Sequence, residues 1–161
     1  MLPIKKILCP TDFSEPSLEA VKTAREWAAY FSAELLLLHV VTPAPVIPVG
    51  PDFVMPDLMV PEQEMENAAR KSLEDLKEKF GLQTLKVRSQ INIGNAADEI
   101  VRTAEEERVD MIIIATHGRT GINRLLFGSV AEKTVRLADC PVLTVSGQSS
   151  DNVGMEKIKK E

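Results

Sequence analysis

The segment ATHGRTGINRLLFGS, from Ala115 to Ser129, carries residue types that could bind an anion. It holds three glycines, two arginines and a histidine, and it follows the apolar run MIII. Glycine lets a backbone approach a ligand closely or adopt a positive φ, and successive N–H groups in such a loop bind anions. Gly128 and Ser129 then begin a helical pattern, and a helix start favours phosphate. The alternative is that Ser129 only caps the helix and the glycines only shape a long turn.

A second candidate for chemistry is the carboxylate in PTDFSEPS, residues 10–17. Asp12 comes directly after an apolar run that predicts a strand. A carboxylate there could accept hydrogen bonds from a base or a ribose, or help to hold a divalent metal. Equally, it could form an Asx turn that only shapes the loop.

Three common phosphate signatures are absent from the sequence. There is no G-x-x-x-x-G-K-[ST] motif and no G-x-G-x-x-G after the first predicted strand. The first turn also lacks the serine-glycine-glycine signature of pyrophosphatase-type ATP enzymes. No nucleophile, base and orienting group occur together, so His39 is not expected to be a catalytic base. It lies on a predicted buried strand and is expected to be a hydrogen-bonded core histidine.

Short apolar runs alternate with longer segments of helical periodicity. Ser14 and Pro16 predict the start of the first helix, and Gly81 predicts the end of the second. Trp27 and Tyr30 are expected to pack on the first helix. The predicted strands are residues 4–9, 34–41, 85–93, 110–116 and 141–145.

The second predicted strand, ELLLLHVV, is apolar on both faces, which is typical of a parallel sheet covered by helices on each side. We therefore expect an α/β fold, with one doubly wound, Rossmann-like domain and a five-stranded parallel sheet. Such folds bind ligands beyond the carboxyl ends of their strands. The function is expected in the turns after the first, second and fourth strands.

Composition limits the partners. The chain has 161 residues, 44% of them hydrophobic, and a net charge of -5 with basic and acidic residues interspersed. Nucleic acid is not expected as the main partner, because a nucleic-acid binder concentrates its basic residues on one face. The longest apolar run is too short to cross a membrane, and no N-terminal signal pattern occurs. Cys9 and Cys140 are expected to be reduced thiols in a cytoplasmic protein.

With these residues, the chain resembles the universal stress protein family from Ile4 to Val145. The nucleotide-binding pattern of that family is G-x2-G-x9-G-[ST], and the matching positions here are Ala115, Gly118, Gly128 and Ser129. PTDFS near the start and CPVLTV near the end also resemble the family. The resemblance implies a fold like that of the adenine nucleotide α-hydrolases, with residues 1–146 as the domain and 147–161 as a flexible tail.

The resemblance also implies a role for particular residues in binding ATP. Pro10, Thr11 and Asp12 would line the adenosine end, and Val40 would offer backbone groups to the adenine. The ribose and the phosphates would lie along Thr116, His117, Gly118 and Arg119. The phosphates would be held by Gly128, Ser129 and Val130, with Mg²⁺ or Mn²⁺ as a bridging ion.

Ala115 stands where the family pattern has its first glycine. Alanine would weaken binding if that position requires a positive φ or a very close approach to the ligand. It would cost little if the residue ends the fourth strand with an ordinary negative φ. Because the rest of the pattern is intact, the expected function is ATP binding with a regulatory role in the stress response.

Two alternatives remain open from the sequence. One is a dimeric interaction protein that binds no nucleotide, and the other is an adenine-nucleotide hydrolase, which would release AMP and pyrophosphate. The resemblance is compatible with slow ATP hydrolysis or autophosphorylation on a serine or threonine. A dedicated ATPase is not expected, because no general base is evident.

Two further segments are expected to contact either the ligand or a second protein chain. Residues 42–61 contain six of the ten prolines and are too apolar for a solvated linker, so we expect them to cover the adenine end or to pack on a partner. The last predicted strand is short and apolar, and an exposed edge of that kind invites pairing. The resemblance implies a homodimer through Val142, Leu143, Thr144 and Val145.

Overall fold

The computed structural model describes residues 3–43, 61–117 and 128–146. The strands are β1 (Lys6–Pro10), β2 (Glu34–Val41), β3 (Val87–Ile93), β4 (Met111–Ala115) and β5 (Val142–Val145). The helices are α1 (Glu15–Phe31), α2 (Glu62–Lys79), α3 (Ala96–Glu106) and α4 (Ser129–Leu137). Most of the proline-rich segment, Gly118, Arg119 and the tail from 147 onward lie outside the described residues.

The five strands form one parallel sheet in the order β3-β2-β1-β4-β5. The predicted fold class is therefore confirmed. The chain adds β2 and β3 on one side of β1, then crosses over to add β4 and β5 on the other side. Because this reversal lies between β1 and β4, the crevice of the doubly wound fold lies between those two strands.

Helices cover both faces of the sheet because the side chains of each strand alternate. One face carries Leu35 and Leu37 of β2, which pack against α1 and α2. The other face carries Leu36 and Leu38, which pack against α3 and α4. All four leucines are 0% exposed, so β2 is buried on both sides as its sequence predicts.

The helix ends follow the predicted signals, with small differences. Ser14 caps α1 by accepting a hydrogen bond from Ser17 N, and Pro16 lies in the first turn. After α2, Gly81 has a φ of 60°, a conformation that glycine adopts without strain. Of the two residues expected to pack on α1, Trp27 packs against the core, whereas Tyr30 is 84% exposed and contacts the ring of Phe31. In the described part of the chain, no helix is both long and apolar enough to cross a membrane.

A cluster of charged side chains ties the amino ends of the first three strands together. Glu34 contacts Lys86 Nζ at 2.6 Å and Arg88 Nε at 2.7 Å. Arg88 also contacts Glu107 at 2.5 Å, and Glu107 contacts Lys6 at 2.8 Å. Because Glu34 is only 9% exposed, its charge needs these partners.

We expect the Glu34 carboxylate to make the protein sensitive to acid. The hydrogen bonds from Lys86 and then Arg88 lower the pKa of Glu34 from 4.5 to about 2. A carboxyl with a lowered folded-state pKa stabilises the fold above pH 4.5, and that contribution is lost as the pH falls towards 2. In urea unfolding, the stability difference between the wild type and Glu34→Gln should shrink over this interval.

The matched control is Glu78→Gln, which changes an exposed glutamate that makes no ion pair with another described residue. Its unfolding free energy should follow the wild-type curve at every pH. Parallel pH profiles for the wild type and Glu34→Gln would contradict the role given to Glu34.

Candidate functional site

A cavity of about 240 Å³ opens where β1, β2 and β4 end, at the carboxyl edge of the sheet. Its floor is apolar, because Leu38, Ile100 and Ile114 reach it from the core that β2, α3 and β4 share. Polar groups come from the turns that follow β1 and β4. Asp12 is the one carboxylate among the described lining residues. An apolar floor with a few placed polar groups is typical of a small-molecule site.

Most of the residues that the sequence singled out meet at this cavity. Its lining includes Pro10, Thr11, Asp12, Val40, Ala115, Thr116, His117, Gly128, Ser129 and Val130. Gly118 and Arg119 belong to the segment that the structure does not describe. The fold thus brings together the turn after β1, the end of β2 and both ends of the connection from β4 to α4.

The turn after β1 is an Asx turn built on Asp12. Oδ1 of Asp12 accepts hydrogen bonds from Ser14 N at 3.0 Å and from Ser14 Oγ at 2.5 Å. The same Ser14 Oγ accepts from Ser17 N at 3.4 Å and so caps α1. The two interpretations of Asp12 are therefore compatible, since one carboxylate shapes the turn and also lines the cavity.

Gly128 lies tightly against the end of β4. Its N–H donates to Thr116 O over 2.7 Å, and a Cβ added to Gly128 would lie 3.3 Å from the same oxygen. The φ of Gly128 is -62°, so any residue could adopt its backbone conformation. The feature that favours glycine here is the close approach of two backbones and not a positive φ.

The first turn of α4 forms one wall of the cavity. Gly128 is the N-cap, so the interpretation of Ser129 as the N-cap is wrong; no side chain of the described residues caps this helix. Ser129, Val130 and Ala131 begin the helix, and all three line the cavity. Their N–H groups have no acceptor within the helix and carry the positive end of its dipole, so this wall suits an anion.

Ala115 ends β4 in ordinary strand conformation. It pairs with Val145 on β5 and is 7% exposed. The non-glycine residues with a positive φ in the described part are Phe13, Ser32 and Arg108, and Ala115 is not among them. Alanine at the first position of the motif therefore brings no conformational cost.

The two histidines differ in their surroundings. His117 lines the cavity, and its Nδ1 lies 2.9 Å from Thr116 Oγ1. His39 is half-buried at the end of β2, and its Nδ1 donates to Thr11 O over 2.8 Å. Its ring packs on Phe13 with centroids 4.6 Å apart. His39 is therefore hydrogen-bonded within the fold, as the sequence predicts.

Sequence reasoning missed six residues of the cavity lining. They are Ser17, Leu38, Ala96, Ile100, Ile114 and Ala131. Three of them, Leu38, Ile100 and Ile114, were recognisable as apolar residues, but periodicity does not distinguish a cavity floor from a core. Ala96 follows β3, whose turn was not expected to contribute. Asn95 could have indicated that a helix begins at this turn, since asparagine is a common N-cap; it caps α3 by accepting a hydrogen bond from Asp98 N at 3.3 Å.

The described residues offer no ready-made metal site. No group of three or more histidine, cysteine, aspartate or glutamate side chains comes together in this part of the chain. Asp12 alone provides an anionic oxygen at the cavity.

The model of the universal stress protein family matches residues 3–146, a range that includes every residue that the structure describes. The chain belongs to the universal stress protein family. The match spans both β1, whose turn contains Asp12, and α4, whose start contains Ser129.

Individual members of the family are similar over most of their length. Universal stress protein MJ0531 from Methanocaldococcus jannaschii is 38% identical over 143 residues, which are 88% of this chain and 81% of that protein. The solved structure of protein MJ0577 from the same organism has a TM-score of 0.75 and 30% identity, covering 92% of this chain and 100% of that one.

A structure described as a universal stress protein in complex with cAMP has a TM-score of 0.65 and covers 91% of this chain and 100% of that one. Its sequence identity is 22%, so it shows that the two proteins share a fold.

We expect the contact between Gly128 and Thr116 to make position 128 intolerant of a branched side chain. A Cβ at 3.3 Å from Thr116 O is tighter than an ordinary van der Waals contact, so a side chain at position 128 requires the Thr116 backbone to shift. Gly128→Val should lower the unfolding free energy by about 1–3 kcal/mol, as overpacking does. Ser129→Val places the same side chain at the next, exposed position and should cost much less. Equal losses in urea unfolding would contradict this contact.

Proposed function

We propose that this member of the universal stress protein family binds ATP and has a regulatory role in the stress response. One observation carries the proposal: the three residues that begin α4 line a cavity at the carboxyl edge of β1 and β4. A helix start at that position in a doubly wound sheet is where phosphates are bound.

The distribution of charge supports one orientation of the nucleotide. The start of α4 favours the negative phosphates, whereas the carboxylate of Asp12 would repel them. Asp12 instead suits hydroxyl donors, which a ribose supplies. We therefore place the adenosine against the turn after β1 and the apolar floor, and the phosphates against Gly128, Ser129 and Val130.

The cavity that the described residues enclose is smaller than most ligand sites. Its 240 Å³ is below the range of about 300–1,000 Å³ that is usual for ligand sites. This size suits the nucleoside, with the phosphates lying along the cavity wall that the start of α4 forms. A divalent Mg²⁺ or Mn²⁺ would then be held mainly by phosphate oxygens, because the described residues provide one carboxylate at the cavity.

The state of Ala115 weakens the alternative of a protein that binds no nucleotide. Ala115 was the feature that favoured that alternative, and it lies in ordinary strand conformation, so alanine replaces no glycine with a positive φ. The fold that this chain shares with the cAMP complex is able to bind an adenine nucleotide, which agrees with the proposal.

We also propose that this role is cytoplasmic. Both cysteines are free, and burial raises the pKa of the Cys9 thiol to about 12, so Cys9 is an inert core residue. Cys140 is half-buried, and burial also raises its pKa. Unpaired thiols of this kind suit a reducing compartment.

Calorimetric titration of nucleotide-stripped protein with ATP and Mg²⁺ tests the function. The wild type should bind with micromolar affinity. Ser129→Glu places a carboxylate at the helix start, where it stabilises the helix but repels phosphate, so ATP should bind about tenfold more weakly or worse.

The matched control is Gln83→Glu, which adds the same charge at an exposed residue near the opposite edge of the sheet. It should bind ATP like the wild type. No binding by folded wild-type protein would reject the proposed function, and equal binding by Ser129→Glu would reject the phosphate position.

We further propose that the protein forms a homodimer by antiparallel pairing of β5 from two copies. β5 is the last strand of the sheet and pairs with β4 on one side. The carbonyls of Pro141 and Val145 accept hydrogen bonds from Ile112 and Thr116 of the β4 side. Because alternate residues of a strand direct their backbone groups to the same side, Val142 and Thr144 direct theirs to the free edge.

This direction of the backbone groups makes the dimer testable with proline. Thr144→Pro removes an N–H from the free edge without removing a hydrogen bond to β4, so it should yield monomers in sedimentation velocity. Thr144→Val keeps that N–H and should remain dimeric. A wild type that stays monomeric at high concentration would reject the β5 dimer.

A further inference from the structure

Every polar atom of Thr11 is engaged within the protein. Its N–H donates to Leu38 O at 2.8 Å, and its carbonyl accepts from His39 Nδ1 at 2.8 Å. Its Oγ1 accepts from Phe13 N at 3.1 Å and lies 3.0 Å from Ser17 Oγ. Thr11 is 5% exposed, so these bonds are shielded from water.

The direction of the hydroxyl bonds can be deduced. Ser17 Oγ donates its hydrogen to Ser14 O at 2.9 Å, so it can only accept from Thr11. The hydroxyl hydrogen of Thr11 is therefore used inside the turn and is not available to a ligand. Although Thr11 lines the cavity, its side chain serves to hold the turn.

These hydrogen bonds restrain Asp12, because they hold both of the peptide units that flank it. The carbonyl bonded to His39 belongs to the peptide between Thr11 and Asp12. The N–H bonded to Thr11 Oγ1 belongs to the peptide between Asp12 and Phe13. Ser14 holds the carboxylate itself at 3.0 Å and 2.5 Å. Backbone and side chain of Asp12 are thus restrained together.

Phe13 completes the arrangement. Its φ is 65°, a conformation that costs energy for a residue with a side chain and that persists only where the surroundings enforce it. The ring of His39 lies against the Phe13 ring at 4.6 Å and an angle of 31°. His39 therefore contacts the turn twice, by its Nδ1 on one side of Asp12 and by its ring on the other.

We infer that His39 is a positioning residue that, with Phe13, holds the Asp12 carboxylate ready to accept hydrogen bonds from the ribose hydroxyls of the bound nucleotide. This inference rests on the proposed function and deepens it, because it names the residues that set the preference for a hydroxylated sugar. His39 acts through Thr11 and Asp12, at the edge of the site and not within it.

The test compares ATP with 2′,3′-dideoxy-ATP, which lacks the hydroxyls that Asp12 would bind, by calorimetry on the full chain. His39→Phe keeps an aromatic ring for Phe13 but removes the donor to Thr11 O. It should weaken ATP binding about three- to tenfold, the value of one hydrogen bond. The affinity of His39→Phe for the dideoxy nucleotide should stay within about twofold of the wild-type affinity, because that nucleotide has no ribose hydroxyls to donate to Asp12.

Two further variants separate positioning from a merely structural role. His39→Asn retains an amide N–H near the place of Nδ1 and should recover most of the preference for ATP. In Asp12→Asn, adding His39→Phe should cost much less than it does in the wild type, because the two residues act as a unit.

The outcomes are distinct. Wild-type protein that binds neither nucleotide rejects the proposed function and this inference with it. Wild-type protein that binds both nucleotides equally, or a His39→Phe variant that weakens both equally or neither, overturns this inference alone and leaves ATP binding in place.

Discussion

The geometry of the site depends on β1 being hydrogen-bonded on both sides while the helices after β1 and β4 lie on opposite faces of the sheet. β1 pairs with β2 and with β4. The chain leaves β1 towards α1 on one face and leaves β4 towards α4 on the other. The two turns therefore diverge, and the crevice between them is the cavity. A carboxylate and a helix start, far apart in sequence, face the same space for this reason.

Much of this arrangement could be predicted from the sequence because the signals were local. The double-sided burial of β2 follows from ELLLLHVV, and the start of α1 follows from Ser14 and Pro16. The strand bounds were less accurate at β1 and β3, where polar residues flank the paired segment: β1 begins at Lys6 and ends at Pro10, and β3 begins at Val87. Pairing with a neighbouring strand, which no local pattern encodes, sets those bounds.

The candidate site was less accessible to sequence reasoning because several residues serve through contacts that only the fold creates. Gly128 was singled out as a glycine, but whether it was needed for positive φ or for close approach depends on Thr116 O, 3.3 Å from its missing Cβ. Ala115, in the same motif, does not have a positive φ. His39 was predicted as a core histidine, yet its bond to Thr11 O depends on the register of β2 beside β1.

One of the residues with a strained backbone conformation adjoins the candidate site. Three described non-glycine residues have a positive φ: Phe13, Ser32 and Arg108. Ser32 and Arg108 follow the ends of α1 and α3, where a left-handed residue commonly terminates a helix.

Phe13 has no such explanation, since it precedes a helix and adjoins a residue that lines the cavity. Strain of this kind is retained where the surrounding contacts enforce it, and at Phe13 those contacts are the ones that orient Asp12. The strained backbone of Phe13 thus lies at the carboxyl edge of the sheet, while the ion pairs around Glu34 join the strands at the amino edge.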